Sequence, residues 1–495
     1  MSVSAQLDRS AITARRTRVH DHRMDSIIGK VRAGERLTRE DGLVLFDTPD
    51  IWTVCSLSEL VRRRTHGDIA YYNINRHVNY SNICALSCKF CAFYRKKDQD
   101  GAYEFSLDQI RDEAIRAAEA GATELHIVGG LHPWLPLDYY LDMMRMIHEA
   151  APRLHIKAFT AVEIVHLARL AGRGRDGVEG IKSVLRDLRE AGLGSLPGGG
   201  AEVFDDRVHD EAYKGKIRAG KWLDVHRAAH ELGINSNATM LYGHIESRAD
   251  RVHHMILLRE EQDRTLRDWA RGQGIVSSED APIVLTGPDE MYPNDRLPHA
   301  AVLPPSSPKA SSTSEQCASS FPRRRESSDA RDALETSLDS RLRGNDTLRG
   351  NDERREAGEE RAEICGYFQT IIPLPFFPDA SELEHLPAPT GLENLRTLAI
   401  CRLMLDNFPH VKAFWIMQTL EMAQFMLLNG ADDIDGTVVW YDITKAVGEG
   451  THQETTVWDL QRAIREAGFR PVERDTLYRR VIRNDGHDGW SVTPT

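Results

Sequence analysis

From about residue 68 the chain repeats one pattern: a short β-rich run, a turn signal, then an amphipathic helical run. "DIAYYNINRHVNY" reads as a strand, and "FSLDQIRDEAIRAAEAG" as a helix with Ser106 and Gln109 as its capping box and Gly121 as its stop. "ELHIVGG", "HIKAFTAVE", "GSLPGGGAE" and "INSNATMLYGHIE" read as strands, each followed by a helical stretch. After an interruption the alternation resumes with "GYFQTIIPLP", "HVKAFWIM" and "IDGTVVWYDI" as strands. Strands alternating with helices run parallel, because each crossover returns the chain to the same end of the sheet. Roughly eight such units predict an α/β fold, a closed (β/α) TIM-type barrel with an N-terminal helical extension and C-terminal elements. A doubly wound open sheet is the competing arrangement.

The interruption, about 266–364, has a different composition. "LPPSSPKASSTSEQCASS" is followed by arginine-rich and acid-rich text, with too little apolar content for a core, so a long disordered insertion is expected. "LRGND" occurs at Leu342–Asp346 and again at Leu348–Asp352. Ser320-Phe321-Pro322-Arg323 can be encoded so that its reverse complement reads Arg-Gly-Asn-Asp, as at Arg343–Asp346. The segment therefore reads as a translated inverted DNA repeat, with a regulatory or docking loop as the alternative. It follows a helix and precedes a strand, which in a barrel is the face opposite the active site. Deleting 303–360 is expected to leave activity largely intact. The expected organisation is 1–67 as tail and helical extension, 68–265 and 365–440 as the two parts of the barrel, 266–364 as insertion, and 441–495 as a C-terminal segment.

The formal net charge is -12. Nucleic acids and anionic membranes both need a basic face, so neither is an expected partner. No apolar run approaches the ~18 residues of a transmembrane helix, and the N-terminal stretch has no apolar core of a secretion signal. Seven cysteines, unevenly spread, do not form a disulfide framework. Cys401 sits in an apolar helical pattern and reads as a buried thiol. The expected compartment is the reducing cytoplasm.

Three of those cysteines fall in "NYSNICALSCKFCAFYR", as Cys84, Cys88 and Cys91. Three thiolates on one loop select zinc, copper(I) or an iron–sulfur cluster. A structural zinc wants four ligands. No second CxxC is present, and a histidine such as His77 would need special geometry to complete such a site. A [4Fe–4S] cluster held by three cysteines leaves one iron without a protein ligand, free to bind a small chelating molecule.

Cys84-x3-Cys88-x2-Cys91, with Phe90 before the third cysteine, resembles the signature of the radical S-adenosylmethionine (radical SAM) superfamily. The resemblance implies a [4Fe–4S] cluster on Cys84, Cys88 and Cys91. It implies S-adenosyl-L-methionine as a consumed co-substrate and an electron donor such as flavodoxin or ferredoxin. It further implies that Phe90 packs near the adenine, that Gly129 and Gly130 receive the methionine amino group through backbone carbonyls, that Glu163 bonds the ribose, and that Tyr242 lines the adenine. "HIVGGLHP", "KAFTAVEI", "LPGGGAEVF", "FQTIIPLPF", "RLMLDNFPHVKAFWIM", "GADDIDGTVV" and "PVERDTLY" look like the aminodeoxyfutalosine synthase family, over most of 25–265 and 366–482.

That resemblance implies addition of the 5'-deoxyadenosyl radical to 3-[(1-carboxyvinyl)oxy]benzoate, giving 6-amino-6-deoxyfutalosine for menaquinone biosynthesis. Its two carboxylates call for donors or cations; His132, His244 and Arg474 are the candidates. Asp432, Asp433 and Asp435 read as an acidic turn that orients hydroxyls or is simply solvated. Where the family often has Phe-His-Pro, this chain has Phe376-Phe377-Pro378. A cyclic dehypoxanthine futalosine synthase-like or FO synthase-like enzyme is the alternative within the superfamily, and a zinc-binding scaffold the alternative outside it.

Overall fold

The computed structural model describes residues 21–272, 283–285, 300–302, 365–438, 454–483 and 489–492. Most of the expected insertion, the first part of the tail and the 440/441 boundary lie outside the described residues. The strands are β1 (Ile69–Asn73), β2 (Asn75–Val78), β3 (Glu124–Ile127), β4 (His155–Ala158), β5 (Ser195–Leu196), β6 (Asn235–Tyr242), β7 (Ile283–Leu285) and β8 (Ala300–Val302), then β9 (Phe368–Pro375), β10 (His410–Val411), β11 (Asp433–Gly436), β12 (Arg470–Glu473), β13 (Val481–Arg483) and β14 (Trp490–Val492).

Seven of them form one parallel sheet in the order β10-β9-β6-β5-β4-β3-β2. The sheet curls into a TIM-type barrel, and β11 spans its open seam. On one side Lys412, next to β10, bridges to Asp433, and the Ala413 amide donates to the Asp433 carbonyl at 2.8 Å. On the other side the Asn75 amide donates to Thr437 Oγ1 at 3.3 Å, and the Val438 amide donates to Asn75 Oδ1 at 2.9 Å. Gly436 permits the closure, since a Cβ there would stand 2.3 Å from Asn75 Oδ1 and 2.4 Å from Asn73 Oδ1. β11 also pairs with β1, which pairs with β12, so the C-terminal segment is tied to the seam.

The local signals act as expected around the sheet. Ser106 and Gln109 form a reciprocal capping box on helix Leu107–Glu119, and Gly121 ends it with φ 75°. Helices bury one apolar stripe on the strands, for example Val184, Leu185 and Leu188 of Gly177–Glu190. The N-terminal helix Ile51–His66 packs on Gly391–Met404. Its buried Arg62 donates to the carbonyls of Gly67, Ile69 and Ala431, which satisfies strand ends that would otherwise be buried without partners.

Three readings change. "DIAYYNINRHVNY" is two strands in two sheets, because β1 pairs with β11 and β12 while β2 pairs with β3. "HVKAFWIM" keeps only His410–Val411 as strand; Trp415–Gln418 is a short helix, and the Trp415 indole N–H holds the turn by donating to the Gly436 carbonyl at 2.8 Å. The acidic triplet is no solvated turn. Asp433 and Asp435 lie in β11, and Asp432, Asp433 and Asp435 are all buried. Each has a cation: Arg402 for Asp432, Arg474 for Asp433, Lys412 for Asp435. A buried carboxylate needs such a partner, and all three partners are distant in sequence.

Candidate functional site

One cavity of about 360 Å³ runs inside the barrel from the cysteine loop toward the N-terminal ends of the strands. Its upper wall is backbone-rich. Cys84, Cys88, Phe90, Cys91, Gly129, Gly130 and Glu163 all line it, so seven of the sequence-expected site residues converge there. The cysteine loop is held by its own backbone. The Cys84 amide donates to the Arg95 carbonyl, the Ala85 amide to Leu131, and the Lys89 amide to Ala212. Lys96 gathers the other side, its ammonium donating to the carbonyls of Cys84 and Leu86, each at 3.0 Å, and to that of Ala85 at 3.4 Å. Sequence reasoning passed over Lys96, because a lysine near a loop carries no pattern.

Amides also point at sulfur. Leu86 and Leu131 donate to Cys84 Sγ, both at 3.4 Å. Burial raises the Cys91 thiol pKa, opposed by the backbone amides of Tyr94 and Phe93, and burial pushes Cys88 up to about 12. Amide donors aimed at the sulfurs suit an iron–sulfur cluster, whose properties such hydrogen bonds tune.

The glycines act first through packing. A Cβ on Gly130 would stand 2.3 Å from the Ile83 carbonyl oxygen, and one on Gly129 2.6 Å from the Tyr80 ring. They let β3 end directly against the entry to the cysteine loop. Glu163 is buried. One oxygen accepts from the Thr160 amide at 2.7 Å and closes a capping box. The other accepts from the Gly129 amide and the Tyr80 hydroxyl, both at 3.0 Å. Burial raises its pKa to about 7, against the pull of these donors. Phe90 packs edge-on against Tyr213, with Lys216 Nζ 4.9 Å from its ring centre. Lys216 in turn pairs with Glu202.

The lower wall is built from side chains on successive strands. Asn75 and His77 come from β2, Glu124 and His126 from β3, Lys157 from β4, Asn237 from β6, Lys412 from the end of β10 and Asp435 from β11. A TIM barrel interior is ordinarily filled by Val, Ile and Leu. Here it is polar and charged. Lys157 Nζ donates to Glu124 at 2.7 Å, and Lys412 Nζ to Asp435 at 2.9 Å. His77 and His126 are register partners, their rings 4.4 Å apart. Burial pushes the His77 pKa down to about 4 and that of His126 well below its ordinary value, so both are neutral at pH 7. Burial works to raise the Glu124 pKa, but the charges of Lys157, Lys412 and Arg474 hold it well below the usual carboxylate range.

The remaining expected residues do not line the cavity. His132 Nδ1 accepts from the Leu135 amide at 3.1 Å, and its Nε2 stands 2.8 Å from Glu104, so it braces the loop after β3. The His244 side chain is enclosed between the Leu241 carbonyl and Glu246. The Tyr242 hydroxyl donates to Asn394 and accepts from Gln418. Arg474 is committed to Asp433 at 2.6 Å and stacks on Tyr478. Phe376 and Phe377 both line the cavity, Phe376 buried and Phe377 43% exposed. The missed floor residues carried a signal: "NRHV", "ELHI", "HIKA" and "HVKAF" each place a charged or imidazole side chain inside a parallel strand, where nearly continuous apolar sequence is the norm.

The comparisons with known proteins agree with this geometry. The radical SAM superfamily model matches residues 78–258, and the CofH/MqnC C-terminal region matches 365–485. An aminodeoxyfutalosine synthase of Thermus thermophilus is 35% identical over 94% of this chain and 97% of its own. The chain belongs to the radical SAM superfamily and, within it, to the aminodeoxyfutalosine synthase family. It is an enzyme. A second family member, from Streptomyces coelicolor, is 35% identical over 93% of this chain and 94% of its own. The crystal structure of methylornithine synthase superposes with a TM-score of 0.55 at 13% identity, covering 90% of this chain and 96% of that one, which supports the barrel. The superfamily implies a [4Fe–4S] cluster and S-adenosylmethionine, and the cysteine end of the cavity suits both. No helix among the described residues is long and apolar enough to cross a membrane.

Proposed function

We propose that this family member makes 6-amino-6-deoxyfutalosine from S-adenosylmethionine and 3-[(1-carboxyvinyl)oxy]benzoate, a step of menaquinone biosynthesis. The observation that carries the reading is one cavity joining a three-cysteine loop to a floor of paired charges, in a chain this similar to two aminodeoxyfutalosine synthases over nearly their full length. When bound, the cluster and S-adenosylmethionine supply the 5'-deoxyadenosyl radical that adds to the enol-ether double bond.

The chain's own residues bind, orient and exclude water. Cys84, Cys88 and Cys91 would hold the cluster. Phe90 offers an apolar edge to the adenine, and the Gly129-Gly130 turn brings backbone within reach of the methionine end. Glu163 fixes that turn through the Gly129 amide. His132, His244, Tyr242 and Arg474 act behind the wall as positioning residues. The electron donor is a redox protein such as flavodoxin or ferredoxin.

The test is product analysis after anaerobic cluster reconstitution. With the enolpyruvyl ether and S-adenosylmethionine, the adenosyl carbons are expected in 6-amino-6-deoxyfutalosine. Release of free 5'-deoxyadenosine as the sole nucleoside would overturn the reading in favour of a hydrogen-abstracting enzyme.

A further inference from the structure

The floor of the cavity is unusual in its cations. Lys157 stands on β4 and Lys412 directly after β10, and each donates one side-chain hydrogen bond, to Glu124 and to Asp435. An ammonium has three donors, so each keeps capacity for an oxygen ligand. Both are nearly inaccessible to solvent, at 4% and 3% exposure. They also act on each other. Burial lowers the Lys157 pKa, Glu124 opposes that effect, and the Lys412 charge adds to the lowering. An anion placed between two like charges relieves their repulsion. His126 lies beside Lys157 in register, and its Nε2 is buried without a hydrogen-bond partner. Buried polar atoms are normally paired, and this one lines the cavity.

We infer that the barrel floor is an aryl-carboxylate subsite, in which Lys157 and Lys412 take the ring carboxylate of the substrate between them and His126 donates a further N–H. The identity of the acid rests on the proposed function. The assignment of that end follows from the lining of the cavity, which has the cysteines at one end and Lys157 and Lys412 at the other. The reacting vinyl carbon has to lie at the cysteine end, and the ring carboxylate is the charged group most remote from it. The third cation of the wall, Lys216, serves the upper end beside Phe90.

The experiment measures binding of 3-methoxybenzoate and of its neutral amide, 3-methoxybenzamide, to the reconstituted enzyme. The wild-type protein is expected to prefer the acid about tenfold or more. The variants Lys157→Gln/Glu124→Gln and Lys412→Gln/Asp435→Asn each remove a whole charge pair and leave no orphan charge. Both are expected to bind acid and amide equally. An undiminished acid preference in both folded variants overturns the assignment. So does a wild-type affinity ratio near one, which needs no variant. Turnover of the full ether is scored separately. Acid preference without adenosylated product removes the proposed reaction and leaves the subsite, whereas product without acid preference does the reverse.

Discussion

The two ends of the barrel cavity are built on different principles. The cysteine end is made of neighbours in sequence: three thiols in one loop, amides of that loop pointing at sulfur, and two glycines that let β3 meet it. The floor is made of strangers, with Lys157 meeting Glu124 and Lys412 meeting Asp435 across separate strands. The upper end works through groups whose spacing along the chain is itself the geometry. The lower end works through charges that have meaning only once the barrel closes. One end is therefore sensitive to backbone and ligand identity, and the other to the balance of buried charge.

Perturbations should separate the two ends. The largest effect is expected at the cysteines. Cys88→Ala should lower product formation and iron incorporation by about a hundredfold or more, because among the described residues no fourth cysteine lines the cavity; retention of full iron would break the contrast. Next comes unbalanced charge at the floor. Lys157→Met alone leaves Glu124 buried without its hydrogen-bonded cation, with only the charges of Lys412 and Arg474 near it, and should destabilise the fold by about 3 kcal/mol. The neutral pair Lys157→Gln/Glu124→Gln should restore most of that loss in denaturant melts. Equal stabilities for the two variants would mean that the floor is not charge-balanced.

Gly130→Ala should cost about 1–3 kcal/mol through overpacking, because the new methyl meets the Ile83 carbonyl and not a movable side chain. Its cluster should be lost faster than that of the floor variants, as read by absorbance decay. The Glu163 carboxyl gives a smaller, pH-dependent effect. Its folded pKa of about 7 lies above the ordinary 4.5. Between those values the unfolded chain gives up a proton that the folded chain keeps, so this group's contribution to stability declines as pH rises through that window. Glu163→Gln should flatten the corresponding slope of thermal stability between about pH 4.5 and 7, and an unchanged slope would exclude Glu163 as its source. The smallest effect is local: Ser106→Ala removes one helix cap, costs about 1 kcal/mol, and should leave the cluster and the acid preference unaltered.

The cysteine motif was legible because Cys84, Cys88 and Cys91 need only loop spacing to converge. The barrel was legible because period-2 and period-3.6 patterns alternate along the chain. His132, His244 and Arg474 have the right chemical type beside a motif but do not line the cavity, because proximity along the chain does not decide which side of a strand end a side chain faces. His132 turns back to cap its own loop, and Arg474 is spent on Asp433. Lys157 and Lys412 were readable as oddities inside apolar strands, although their partners were not.

Short-range spacing along the chain is enough for the repeating parallel architecture, the capping box at Ser106 and Gln109, the three-thiol loop and the family motifs. Long-range pairing is what parts β1 and β2 into separate sheets, seats β11 in the seam with Gly436 at its tightest point, and buries the acidic triplet. It also brings two lysines to one floor. Those outcomes depend on which distant strands become neighbours, and burial then forces each charge to find its partner across the closed barrel.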